Sequence, residues 1–215
     1  VTADTGAGHV SVLYARGEGF LAGEHHAVGG RPREVVLADF DNDGALDVAV
    51  ANVDSADISV LFNTEGRLGR EGRLPVSDVP WALAAGDLDG DGNADLVATN
   101  LAESRLSVFL GLGDGFFDGE ARYAVLAEGG GRAVPRSLAL GDVNGDGVPD
   151  IVTGNSNADT MGVLLGMGDG SFEAAAEFFA ENFPIDVHLV DMDRDGALDV
   201  VLVNRNDPDN PDDQA

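Results

Sequence analysis

Four nine-residue stretches hold most of the side chains in this chain that could bind a metal ion. They are Asp39-Phe-Asp41-Asn-Asp43-Gly44-Ala45-Leu-Asp47, Asp87-Leu-Asp89-Gly-Asp91-Gly92-Asn93-Ala-Asp95, Asp142-Val-Asn144-Gly-Asp146-Gly147-Val148-Pro-Asp150 and Asp191-Met-Asp193-Arg-Asp195-Gly196-Ala197-Leu-Asp199. Oxygen-bearing side chains at alternate positions 1, 3 and 5 can wrap a hard cation, and glycine at position 6 permits a sharp turn. A carboxylate at position 9 and a backbone carbonyl at position 7 (Ala45, Asn93, Val148 or Ala197) would close the shell. An all-oxygen donor set without nearby His or Cys favours calcium over zinc or copper, and a crowded protein cage disfavours magnesium. About four calcium ions are therefore expected.

An EF-hand opens in the same way but needs Glu at position 12 and flanking helices. Position 12 here is Val50, Ala98, Thr153 or Leu202, and the flanks are strand-like, which excludes it. Four copies in one register also argue against ordinary solvated turns. Two carboxylates about 4 Å apart repel by roughly 4 kcal/mol at an effective dielectric near 20, so a cation would turn repulsion into a staple. The third loop, with Asn144 in place of a carboxylate, is expected to bind weakest.

The chain has 39 acidic residues against 12 basic ones, all arginine, for a net charge of −27. Fifteen of the acids lie in the four loops, so part of that charge is there to be neutralised; four divalent ions would leave −19. A surface this acidic should repel nucleic acid and anionic lipid. No apolar run approaches the roughly 20 residues of a membrane-spanning helix, so no membrane insertion is expected. Cysteine is absent and indicates nothing about compartment.

The elements that position the loops repeat with them. A proline stands seven residues before each first aspartate (Pro32, Pro80, Pro135, Pro184) and an asparagine thirteen after it (Asn52, Asn100, Asn155, Asn204). The first aspartates are spaced by 48, 55 and 49 residues, the length of a four-stranded propeller blade. Near-continuous apolar runs flank every loop: Val35 to Ala38, Ala82 to Ala85, Leu138 to Leu140 and Val187 to Val190 before it, then Val48 to Ala51, Leu96 to Thr99, Ile151 to Thr153 and Val200 to Val203 after it. Such runs are expected to be buried on both faces. An alternating third strand follows in Ile58 to Phe62, Leu106 to Leu110 and Met161 to Leu165, with an earlier copy at Val10 to Tyr14.

The third strand ends in a glycine turn, as in Gly113-Asp114-Gly115-Phe116-Phe117 and Gly168-Asp169-Gly170-Ser171-Phe172, whose last apolar residue could plug the space between blades. Phe172 to Ala180 has helix-forming composition, but the repeat register favours an outer strand. The fold expected is all-β: a propeller, or a fragment of one, of about four four-stranded antiparallel blades in a single domain over residues 1–205. Residues 206–215 are expected to be a disordered acidic tail, and Gly129 to Gly131 a simple loop. Val1 to Asp4 matches a second strand, as in an array cut from a longer protein, whose further blades would be neighbours.

At these loops and turns the chain resembles the FG-GAP/VCBS repeat family, the calcium-loop propellers of integrin α-subunits and many bacterial secreted proteins. The resemblance runs from Val10 to Asn204, and turns such as Leu165-Gly166-Met167-Gly168-Asp169-Gly170-Ser171-Phe172 look like the bacterial version. It implies a ring of seven blades or similar, with calcium on the loop between the first two strands of each. Four blades and Asn144 depart from that pattern.

The expected function is a non-catalytic, secreted or cell-surface module that binds calcium and presents loops to a glycan or an extracellular protein. The alternative is the propeller of a secreted polysaccharide lyase or hydrolase. Candidate acid-base residues for it are few. His188 alternates within an apolar strand and reads as structural, His25 and His26 read as solvated, and Trp81 reads as inter-blade packing rather than a sugar platform.

Overall fold

The computed structural model describes residues 1–21, 23–126 and 132–205. Every regular element among them is a strand. An N-terminal group holds β1 (Thr2–Asp4), β2 (His9–Val12), the short hairpin β3 (Ala15–Arg16) and β4 (Gly19–Phe20), and β5 (Glu24–Ala27). Three complete blades follow: β6 (Pro32–Ala38) to β9 (Arg67–Pro75) through β7 (Asp47–Asn52) and β8 (Asp57–Thr64), then β10 (Pro80–Gly86), β11 (Asp95–Asn100), β12 (Arg105–Phe109) and β13 (Ala121–Ala124), then β14 (Pro135–Gly141), β15 (Asp150–Asn155), β16 (Thr160–Leu164) and β17 (Ala176–Phe179). The pair β18 (Pro184–Val190) and β19 (Asp199–Asn204) ends the described chain.

Each complete blade is a four-stranded antiparallel meander in sequence order, and the N-terminal sheet β1-β2-β5 repeats the second, third and fourth strands of that pattern. The described residues thus form an all-β propeller array with three complete blades and a partial one on either side of them. The repeat proline opens every first strand and pairs with the repeat asparagine, as Pro32 with Asn52 and Pro184 with Asn204. Proline is tolerated there because an edge strand's first residue can spare its N–H. Phe172 to Ala180 contains the outer strand β17, laddered to β16 from Thr160↔Phe179 to Val163↔Ala176. Cross-strand pairing overrides the local helix propensity of its alanines.

The second strands β7, β11 and β15 are buried at every position. Their alternate residues point to opposite faces. Val48 and Val50 pack toward the N-terminal sheet with Val10, while Ala49 and Ala51 pack toward the next blade with Leu83 and Leu96. The first strands behave differently from the expectation of two-sided burial: β6, β14 and β18 are buried at one or two positions each and partly or fully open at the rest. They contact one another in the order β6, β10, β14, β18, and each pairs with a strand on one side only, so their free edge lines an inner hollow rather than a core. The Gly129 to Gly131 loop and the 206–215 tail lie outside the described residues.

The glycine turns dock as expected. Phe117 packs on Phe40 of the preceding blade, ring centroids 5.6 Å apart. Phe172 is buried beside Leu88 and Tyr123. A turn aromatic thus covers position 2 of the neighbouring blade's acidic loop. Phe172→Ala is expected to cost about 3 kcal/mol in urea unfolding, as for a buried phenylalanine. Phe116→Ala, at a side chain 61% exposed, should be within about 0.5 kcal/mol of the parent.

Candidate metal centre

Each acidic loop joins the first strand of a blade to the second, so all four lie at the same end of the sheets. Backbone conformation fixes them alike. Position 6 is glycine at positive φ throughout: Gly44 (88°), Gly92 (89°), Gly147 (87°) and Gly196 (94°). Position 4 is also left-handed, at Asn42, Gly90, Gly145 and Arg194. The repeat reading had given position 4 no role.

The first carboxylate organises the turn. Asp39 accepts from Asp43 and Gly44 N–H at 3.2 and 2.9 Å. Asp87 accepts from Gly90 and Gly92, Asp142 from Gly145 and Gly147, and Asp191 from Arg194 and Gly196. These donated N–H groups, Gly147 foremost, hold the Asp142 carboxyl below the ordinary carboxylate range. The position 5 carboxylate accepts from the position 7 N–H at 2.8 Å in every loop, from Ala45, Asn93, Val148 and Ala197.

Position 9 does something the sequence did not suggest. Asp47, Asp95 and Asp150 are fully buried. One oxygen of each accepts from the position 2 N–H, at 2.9 Å from Phe40, 2.7 Å from Leu88 and 2.9 Å from Val143. The other accepts from a residue at the end of the third strand or just beyond it, at 2.7 Å from Asn63, 2.7 Å from Gly111 and 2.8 Å from Gly166. Asp199 is exposed and, among the described residues, accepts only the bond from Met192. Position 9 therefore ties the loop to the third strand, whatever else it binds. Burial, against the pull of these donors and with Asp89 and Asp91 close by, pushes the Asp95 carboxyl up to about 6. Gly111 and Gly166 carry a readable signal after the fact: a Cβ there would collide with the carbonyl oxygens of Ala94 and Pro149.

Three loops gather three carboxylates with oxygens within 4.8 Å of one another: Asp39, Asp41 and Asp43; Asp87, Asp89 and Asp95; Asp191, Asp193 and Asp199. In the third loop the Asn144 amide instead donates to Asp146 at 2.9 Å. The Asp41 Oδ1 atom is buried and has no hydrogen-bond partner. A buried anionic oxygen without a donor, beside two more carboxylates, fits a hard cation such as calcium. Asp91 and Asp195 belong to the same loops but stand outside these closest triplets, and Asp146 pairs with Asn144.

The other sequence candidates fall elsewhere. His188 is not a core histidine: its side chain is 65% exposed, with Nε2 3.2 Å from Asp186, because β18 has an open face. His25 lies 2.9 Å from Ser11 Oγ, and His26 is more sheltered than expected, 3.8 Å from Glu24. Trp81 is half-buried at the start of β10, with the Arg33 guanidinium 3.6 Å from its ring centroid.

No curated protein matches the chain in sequence. Solved structures do match. A functionally unknown protein from Desulfotomaculum acetoxidans superposes with a TM-score of 0.69 at 12% identity, over 95% of this chain and 58% of that one. The periplasmic gluconolactonase of Pseudomonas aeruginosa superposes with a TM-score of 0.59 at 20% identity, over 93% and 52%. An Agrocybe aegerita lectin that recognises non-reducing terminal N-acetylglucosamine gives 0.54 at 21% identity, over 81% and 47%. The chain thus spans about half the length of these structures, and the likeness is one of fold. The FG-GAP-like repeat matches three times, over residues 39–98, 87–153 and 142–202, each match starting on the first aspartate of a loop. A match that covers most of the chain and keeps step with its acidic loops places this protein in the FG-GAP-like repeat family.

Proposed function

We propose that this chain is a calcium-binding, non-catalytic propeller module of a secreted or cell-surface protein, which presents its loops to a glycan or protein partner. The observation that carries the reading is the unpartnered buried Asp41 oxygen among the clustered carboxylates of the first loop, with carboxylates clustered likewise in the second and fourth. Asp39, Asp41, Asp43 and the Ala45 carbonyl would hold the first ion, with Asp47 steadying the loop, and the equivalent residues would hold the others. Millimolar extracellular calcium suits exposed loops of this kind. The lectin among the structural neighbours supports glycan binding as a use to which such a fold can be put.

Calorimetric titration of the metal-free chain with calcium tests the reading. Heat for about four sites is expected, and one fewer at low calcium because of Asn144. No heat at millimolar calcium would overturn it. The polysaccharide lyase or hydrolase reading predicts release of unsaturated or reducing sugars from acidic polysaccharides, and the expected result of that assay is negative.

A further inference from the structure

The first strands run from the repeat proline to the acidic loop, so the residues just after each proline gather at the opposite end of the sheets. Seven residues of strand place that end about 20 Å from the loops. Arg33 follows Pro32, Trp81 follows Pro80 and Arg136 follows Pro135, while Arg205 follows the last repeat asparagine. The inner hollow they border has a volume of about 610 Å³ and is lined also by Glu34 and Asp186.

Arginine is scarce in this acidic chain, yet three of the twelve converge here. Ion pairs among the described residues employ Arg31, Arg73 and Arg122. Arg33, Arg136 and Arg205 lie against aromatic rings instead. Arg33 and Arg136 stand 3.6 and 5.3 Å from the Trp81 centroid, and Arg136 and Arg205 stand 5.2 and 5.5 Å from that of Phe183. Arg33 and Arg136 are therefore no more than about 9 Å apart, close to the Debye length of about 8 Å at physiological salt, so their repulsion is only partly screened. Burial, then the charges of Arg33 and Arg205, hold Arg136 below the ordinary guanidinium range. Its Nε is buried without a hydrogen-bond partner. A cationic cluster held by rings, with a donor unspent, is arranged to receive an anion, and the planar guanidinium fork matches a carboxylate.

Glu34 and Asp186 decide what carries that carboxylate. Both acids line the same hollow, and burial raises the Glu34 carboxyl against the pull of the Val35 N–H and Arg33, with a smaller push from Asp186. They would repel an acidic peptide but can accept hydrogen bonds from hydroxyl groups. The volume suits a sugar unit better than a free amino acid. The overall charge of −27 disfavours a long polyanion.

We infer that this end of the hollow binds a single carboxylate-bearing sugar, its carboxylate on Arg33, Arg136 and Arg205 and its hydroxyls on Glu34 and Asp186. The inference rests on the glycan-binding part of the proposed function and not on calcium. Titration of the intact chain with glucuronate, glucose and acetate, followed by NMR in saturating calcium, tests it. Glucuronate is expected to bind with a Kd on the order of 1 mM, at least about tenfold tighter than either control. Arg136→Gln should weaken it by about tenfold or more with the calcium-dependent melting unchanged. Arg205→Gln, at an exposed residue, should do the same and serves where Arg136→Gln fails to fold. Glucuronate binding no tighter than glucose or acetate, or binding that folded variants leave intact, would overturn the inference. Loss of the calcium response with glucuronate binding retained would sink the calcium reading alone.

Discussion

Replacing Asp95 with alanine should cost about 3 kcal/mol of folding stability in metal-free buffer, more than any other single substitution in the second acidic loop. The carboxylate is fully buried and accepts N–H groups from Leu88 and Gly111, both at 2.7 Å. Removing it leaves two donors without an acceptor, at about 1 to 3 kcal/mol each. Part of that is offset, because an ion that burial pushes up to about 6 is itself costly to keep charged at neutral pH. Asp199→Ala is the internal control. That carboxylate is exposed and, among the described residues, accepts a single bond, from Met192, so its loss should cost about 1 kcal/mol or less. Urea unfolding in EDTA measures both, free of any metal effect. Equal midpoints for the two variants would show that position 9 does not tie loop to strand. A marginally stable domain has about 5 to 15 kcal/mol in reserve, so Asp95→Ala should still fold, though with a visibly lower midpoint.

That staple shows where reading the sequence stopped. The four loops, their register and the second strands were legible because each depends on local residues repeated four times: Asp at 1 and 9, Gly at 6, and an unbroken apolar run such as Val48 to Ala51. The blade plugs were legible for the same reason, since Phe117 and Phe172 keep their place after a glycine turn. Position 9 reads in sequence only as an ion ligand, a role its place in the clusters of Asp95 and Asp199 leaves open, because carboxylates in an acidic loop look alike in one dimension. Its N–H donors lie 16 residues further along, at Asn63, Gly111 and Gly166. Only the sheet brings them together. The first strands misled in the opposite sense. Val187 to Val190 reads as core, yet His188 and Val190 are exposed, because they lie on the face that in β6 packs Val36 and Ala38 against the next blade, and among the described residues no blade follows β19. Arg33, Trp81 and Arg136 share the place after the repeat proline while Arg205 follows the last repeat asparagine, and the four lie in different repeats, so their meeting depends on how the blades pack side by side.

Calcium should raise the melting temperature by several degrees for each loop it fills, and EDTA should remove the gain. A site held at 100 times its dissociation constant adds about 2.7 kcal/mol. For a domain of this size 1 kcal/mol corresponds to about 2 to 4 °C, so one saturated loop is worth roughly 5 to 10 °C. The metal-free starting point is strained in the right sense. Carboxylate oxygens within 4.8 Å of one another, as in Asp39, Asp41 and Asp43, repel by about 3 kcal/mol per charged pair at an effective dielectric near 20. Sodium chloride screens that repulsion and should recover part of the loss in EDTA, but a divalent ion both cancels it and satisfies the lone Asp41 oxygen. The third loop sets the scale within the molecule. Asn144 gives it one carboxylate fewer and donates its amide to Asp146, so Asn144→Asp should raise the melting temperature in calcium and lower it in EDTA. Asp43→Asn should do the reverse at the first loop. Differential scanning calorimetry in calcium, in EDTA and in EDTA with sodium chloride reads all of this, and a melting temperature that calcium leaves unmoved would mean that the aspartates organise turns and nothing more.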